Sequence, residues 1–349
     1  MPSPLEVALN HQNAMIRLGQ STTERAVSTW RLGDVDALDA SWDVLAPVLV
    51  DAVSEAQIVA ARQSSTFNRD AMASYGSSVS TSEVVPEALS GVMIDGREVG
   101  PAMFGAVTTT KTLIGRGVPR ARAFESGASF LAAIVRSAVS DSGRQADRVD
   151  ATGKGLTRYV RVVSPGACSR CAVQAGKGEY RVAFKRHPSC KCTSMPLPDD
   201  GFGPPPKGFY SSPDDYFESL DAAEQNRVFT NAGAQAIRDG ADPTAVVNAR
   251  RGANLTSGGL VERRSGLTAP LGYDSAGRRI QVFTTGEGTS IRGAYGRAEY
   301  RRTQEATKAA GDRYRRTTSQ RLMPETIYQI ADGNQERAVS LLRQYGYIT

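Results

Sequence analysis

The segment Cys168–Cys192 constrains this chain more than any other stretch. It holds all four cysteines and one of the two histidines within 25 of the 349 residues. It reads Cys168-Ser-Arg-Cys171, then a turn-rich insert, then His187-Pro-Ser-Cys190-Lys-Cys192. A C-x-x-C lets one tight turn present two thiols to a single point, and H-x-x-C-x-C adds an imidazole and two more. Thiolate and imidazole donors in a four-coordinate set are the ligands zinc takes, with no redox chemistry needed. Five candidates compete for four places. The spacing favours Cys168, Cys171, His187 and Cys190, with Cys192 the main competitor for the fourth. Pro188 would fix the turn of the second half. Lys185, Arg186 and Lys191 would offset the thiolate charge.

The competing reading is a pair of disulfides, for which four cysteines allow three pairings. Residues 1–19 carry neither a basic n-region nor an apolar h-region, so a reducing compartment with free thiols is expected. The sequence contains no H-x-E and no H-E-x-x-H. A structural zinc is therefore expected in place of a catalytic one, and the zinc-deaminase signature fails for the same reason.

Length allows two or three domains. The chain is 40% apolar, enough for a globular core, and has no continuous apolar run near 18 residues, so no membrane span is expected. Residues 1–150 read as a helical region. Val35, Leu38, Trp42, Leu45, Leu49, Val53, Ala56 and Ala60 recur at steps of three and four, which puts them on one helical face. Pro47 is expected to kink or split that helix. Leu5, Ala8, Met15 and Leu18 predict a shorter helix before it, and Met103–Ile114 and Phe124–Val139 predict two after it. Such stripes bury one another, so a bundle follows.

The texture changes near Gly153. Leu156–Val163 alternates and reads as a strand, and Tyr180–Phe184 as a second short one. Residues 151–200 thus form a small α+β module pinned by metal, which supplies stability that a core of that size lacks. Asp199–Pro206 reads as a linker. Residues 207–252 continue as helices, with Ser212 and Asp221 as caps. Residues 253–321 are poor in apolar side chains and basic: from Arg250 to Arg321 there are fifteen Lys/Arg against six Asp/Glu, out of a chain total of +6. This segment is expected to be irregular. Its Arg297, Arg301, Arg302, Arg313, Arg315 and Arg316, interleaved with Tyr, are candidate nucleic-acid contacts. Residues 322–349 read as a helical hairpin turning at Asp332-Gly-Asn334, too small to fold unaided and expected to dock on a surface. The fold class is α+β and mostly α-helical.

The strand, the C-x-x-C, the insert and the H-P-x-C-x-C resemble the central motif of Mu F-like (MuF-like) head morphogenesis proteins of tailed bacteriophages, closest to the minor capsid group of actinobacterial phages. Arg161–Cys168, Tyr216–Gln225, Val246–Gly252, Arg321–Tyr328 and Leu341–Ile348 carry further likeness, so the resemblance spans roughly residues 150 to 349. It implies a minor component of the virion head, at the portal vertex and capsid interior, that joins the procapsid in the host cytoplasm. Its partners would be the portal, capsid or scaffold proteins, with packaged DNA beside the basic segment.

Members of that group are sometimes labelled capsid maturation proteases. The residues give the label little support. His187 sits among thiols, His11 sits in a helix, and there is no G-x-S-x-G. Cys190 or Cys192 with His187 would offer Cys–His chemistry, but clustered thiols favour coordination. Asp141-Ser-Gly143 resembles an aspartic-protease triplet, and reads more simply as a helix end. Thr284–Ser290 is Gly-rich without being a P-loop. The reading is a non-enzymatic head protein. The alternatives are a capsid maturation protease and a zinc-containing nucleic-acid-binding protein.

Overall fold

Ser3 opens the first helix with a reciprocal cap. Its hydroxyl accepts from the Glu6 N–H, while its own N–H donates to the Glu6 carboxylate at 2.7 Å, and Pro4 occupies the first helical position. In the computed structural model, residues 1–81, 83–163, 166–198, 204–250, 282–319 and 321–349 are described, together with the backbone of four short strands between residues 254 and 281. They form two compact units, residues 1–167 with 174–212, and residues 168–173 with 213–349.

The first unit is a four-helix assembly carrying a small sheet. Its helices are α1 (Pro4–Trp30), α2 (Leu38–Ser74), α3 (Val99–Gly115) and α4 (Arg120–Gly153), with a single 3₁₀ turn at Pro86–Leu89. Their apolar stripes meet in one core around Trp30, Leu49, Val53, Met103, Val107, Leu131 and Val135. All four run longer than their sequence patterns predict. Neighbouring stripes extend the packed face, and propensity alone sets only the most periodic part. Pro47 lies inside α2 and does not split it. The missing hydrogen bond costs about 3 kcal/mol, and burial of Leu49, Val53, Ala56 and Ala60 just beyond it offsets that. Asp141-Ser-Gly143 is not a helix end. The triplet is buried in the middle of α4, where Ser142 donates to the Leu89 carbonyl at 3.2 Å.

α2 is also long and apolar enough in composition to cross a bilayer, although its charged residues break up every continuous apolar run. It packs against α1, α3 and α4, as the core helix of a bundle does.

The sheet has strand order β2-β1-β3, all antiparallel, with β1 (Arg158–Val162) in the centre, β2 (Lys177–Glu179) and β3 (Thr193–Pro196). The second strand comes earlier than Tyr180–Phe184, because Tyr180 turns inward, buried against Met72, Ala151 and Leu156. Val160, Val162 and Met195 lie on Val7, Ala8, Phe67 and Ala71 of α1 and α2.

The second unit begins with a single-turn helix, α5 (Ser169–Ala172), and continues as α6 (Pro213–Glu218), α7 (Ala222–Phe229), α8 (Asn231–Arg238) and α9 (Pro243–Ala249). Asp221 and Asp242 cap α7 and α9 by accepting from Glu224 and Ala245 N–H groups. Two hairpins follow, β4 (Asn254–Thr256) with β5 (Gly259–Val261), and β6 (Leu271–Tyr273) with β7 (Arg279–Gln281). The rest comprises β8 (Thr284–Thr285), α10 (Ala294–Thr303), β9 (Ala306–Thr307) paired with β10 (Arg316–Thr317), β11 (Arg321–Leu322) paired with β8, α11 (Pro324–Ala331) and α12 (Gln335–Gln344).

The described part of the basic segment, from residue 282 on, thus carries one helix and two-residue strands between its loops. Buried Arg321 organises it, donating to the carbonyls of Glu287, Tyr345 and Gly346 and lying 4.0 Å over the Tyr347 ring. The terminal hairpin turns at Asp332, which adopts φ +50°. It docks on its own unit, with the Tyr328 hydroxyl donating to Asp239 at 2.5 Å. Residues 199–203 of the expected linker, and Arg251-Gly252, lie outside the described residues.

Candidate metal centre

The C-x-x-C forms the start of α5. Cys168 is the extended residue before the helix, and its carbonyl accepts from Cys171 at 2.9 Å and Ala172 at 3.0 Å. A single turn thus brings both thiols to one side. The second half turns at Ser189, which takes φ +59°, with the Cys190 N–H donating to the His187 carbonyl at 3.1 Å. A non-glycine residue there costs on the order of 1 kcal/mol, so the surroundings must hold it. They do so from α4: the Ser189 N–H donates to Ser137 Oγ at 3.3 Å.

The five sequence candidates come together in two overlapping groups, Cys168, Cys171 and His187, and Cys171, Cys190 and Cys192. Within each group the ligand atoms all lie within 4.8 Å of one another. Tetrahedral zinc with bonds of about 2.3 Å spaces its sulfurs by roughly 3.8 Å, so donor chemistry and spacing both fit the ion. Cys171 belongs to both groups. Cys171, Cys190 and Cys192 are buried, and Cys168 is exposed. In the tautomer protonated at Nδ1, His187 donates to the Pro188 carbonyl at 2.8 Å, which leaves Nε2 as the nitrogen able to ligate a metal.

Three arginines hold the second half of the motif: Arg186, which the sequence placed there as a charge offset, and Arg144 and Arg161, which its spacing did not point to. Arg144 of α4 donates through Nε to the Cys192 carbonyl at 2.8 Å and through Nη2 to the Cys190 carbonyl. Arg161 of β1 donates to the Lys185 carbonyl at 3.1 Å and lies 4.0 Å over the Phe184 ring. Arg186 pairs with Asp141, which also takes Arg144 Nη1 at 3.0 Å. Burial pushes the Asp141 carboxyl up, against the pull of Arg144 and Arg186. Asp141 thus engages both Arg186 and Arg144, and Arg144 donates its remaining N–H groups to the carbonyls of Cys190 and Cys192. The only signal in the sequence was Asp141 and Arg144 three apart on one helix face.

His11, the other histidine, is 7% exposed, stacks on Phe67 with ring centroids 3.8 Å apart, and lies 3.0 Å from Asp147 Oδ2 through Nε2. That pair belongs to the core, and among the described residues no serine hydroxyl or cysteine thiol is placed on it.

The six arginine candidates for nucleic acid are all exposed in the second unit. Arg302 pairs with Glu299 at 2.7 Å, and Arg316 lies 3.8 Å from Asp312. Arg297 donates to the Arg292 carbonyl and Arg315 to that of Ala306. Arg313 lies 5.3 Å over Tyr314, and Arg315 lies 5.6 Å over Tyr300. The Gly-rich loop Thr284–Ser290 gives its Gly286 and Glu287 carbonyls to Arg316 and Arg321, which explains it structurally.

No family model, no curated protein and no solved structure matches the chain.

Proposed function

We propose that this chain is a non-enzymatic minor head protein of a tailed bacteriophage, built on a module that one structural zinc pins together. The observation that carries the reading is the convergence of Cys168, Cys171, His187, Cys190 and Cys192 in overlapping groups, in a motif that resembles the Mu F-like centre. When bound, the ion cross-links two chain segments separated by the fifteen residues between Cys171 and His187. It thereby stabilises a three-stranded sheet too small to carry its own core. Cys171, common to both groups, is the residue that links them, and His187 would bind through Nε2. The helical bundle is the surface offered to portal, capsid or scaffold protein. The exposed arginines of α10 and the β9–β10 hairpin supply a basic face for packaged DNA.

The observations that weigh against protease chemistry are local. Asp141-Ser-Gly143 is buried in a helix, His11 is locked in the core, and His187 stands with several thiols where a nucleophile needs one.

The test is to assemble procapsids with and without this chain and separate them by sedimentation. Co-sedimentation with portal-containing particles in few copies, with no cleavage of capsid or scaffold protein, is the expected result. A chain that stays at the top of the gradient, or cleaves a head protein and loses that activity when Cys190 or Cys192 is changed, contradicts it.

A further inference from the structure

We infer that Arg144 is the positioning residue of the metal centre, holding Cys190 and Cys192 in ligating geometry before any ion arrives. The inference rests on the zinc reading for its consequence, and on the first unit alone for its geometry.

One guanidinium serves both cysteines. Arg144 donates to the Cys190 carbonyl and, at 2.8 Å, to the Cys192 carbonyl. These residues are two apart, immediately before β3, so fixing both carbonyls restricts the rotation of the chain between them, and with it the side to which each Cβ–Sγ points. The planar fork of Arg suits this; a Lys ammonium, a single point of charge, does not. Asp141 fixes the fork in turn at 3.0 Å, with side chains only 10% and 3% exposed, and it anchors Arg186 on the opposite limb of the loop. Ser137, one helical turn earlier, takes the Ser189 N–H. The turn from Arg186 to Cys192 is therefore templated on one face of α4 by Ser137, Asp141 and Arg144, at successive spacings of four and three.

The chemistry follows. Bound thiolates bring net negative charge to the ion's surroundings, and a buried guanidinium beside them lowers the cost of holding that charge. A partner that orients a metal ligand from outside the coordination sphere typically governs affinity by about 10- to 100-fold. Because the hydrogen bonds run to backbone carbonyls, they do not depend on which of Cys190 and Cys192 is the fourth ligand.

The experiment uses the full chain, wild type, Arg144→Met, Arg144→Lys and Asp141→Asn. Two readouts are taken: the rate of iodoacetamide labelling at each cysteine in reduced, metal-free protein, and zinc affinity by competition with a chromophoric chelator, with the cobalt(II) absorption spectrum beside it. The expected result for Arg144→Met is faster labelling of Cys190 and Cys192 with Cys168 unchanged, a zinc affinity about 10- to 100-fold weaker, and an altered cobalt band. Arg144→Lys recovers only part of this, and Asp141→Asn moves in the same direction. Wild-type labelling and affinity in Arg144→Met overturn the inference. So does equal exposure of all four cysteines with lost helical signal, unless Asp141→Asn keeps the helical signal and exposes only Cys190 and Cys192. Wild-type protein that binds no zinc, while Arg144→Met still exposes Cys190 and Cys192 selectively, refutes the zinc reading and leaves the positioning role standing.

Discussion

Gly127 of α4 faces Ala106 of α3 so closely that a Cβ on Gly127 would stand 2.9 Å from the Ala106 carbonyl oxygen, with Trp30 equally near. The crossing of these helices depends on that missing side chain. Gly127→Ala gains about 1 kcal/mol of helix propensity, yet it drives a methyl into the Thr110 hydroxyl, the Ala106 carbonyl and the Trp30 ring, an overpacking cost of about 1–3 kcal/mol. The net expectation is a lower thermal midpoint. An unchanged or higher midpoint would show that the helices separate freely here.

The pair His11–Asp147 is buried on both sides, with side-chain exposures of 4% and 1%. Removing His11 alone strands a carboxylate in the core, at a cost of about 3–5 kcal/mol. His11→Ala should therefore lower the urea midpoint far more than the double variant His11→Leu with Asp147→Leu, measured by circular dichroism. Equal losses in the two would mean that the pair itself contributes little.

Both the four-helix region and the metal motif were legible from residues, because heptad-like stripes and clustered thiols are local patterns. The helix lengths were not. Pro47 and Gly143 are local breakers, and burial of Leu49, Val53 and Ala60 and the close approach of Met15 to Gly143 override them. The contacts that hold the described part of the basic segment, from residue 282 on, were illegible for a similar reason. Its order comes from one buried arginine, Arg321, reaching carbonyls 24 to 34 residues away in sequence, which no local window contains. The hold of Arg144 on Cys190 and Cys192 spans 46 to 48 residues and was equally invisible.

Burial raises the phenol of Tyr347 above its ordinary range, against the pull of Arg321, and raises that of Tyr180 likewise. The folded chain therefore keeps protons that the unfolded chain releases near pH 10. Stability from these groups is fully present below that pH and is lost as pH rises through the folded values, by at most about 1.4 kcal/mol per pH unit for each. Phenolate absorbance and circular dichroism followed together should show a fraction of the tyrosines ionising only as the chain unfolds. Complete ionisation of a fully folded chain would contradict this.

Arg297, Arg301 and Arg313 are exposed, and among the described residues none has a carboxylate partner. If the basic face meets DNA, changing the three to Gln weakens binding. The slope of log affinity against log salt then becomes shallower by about 0.9 for each phosphate that is no longer neutralised. Fluorescence anisotropy at several salt concentrations measures both. An unchanged slope would remove these arginines from the interface.

The most direct test of the zinc-pinned module is metal content per chain on natively purified protein, with the cysteines alkylated before and after chelation. The expected result is one zinc per chain, at most one reactive cysteine before chelation, and four after. A metal-free chain whose Cys190 or Cys192 reacts at once, with the fold intact, would contradict a structural zinc and return the Cys–His pair to consideration as chemistry.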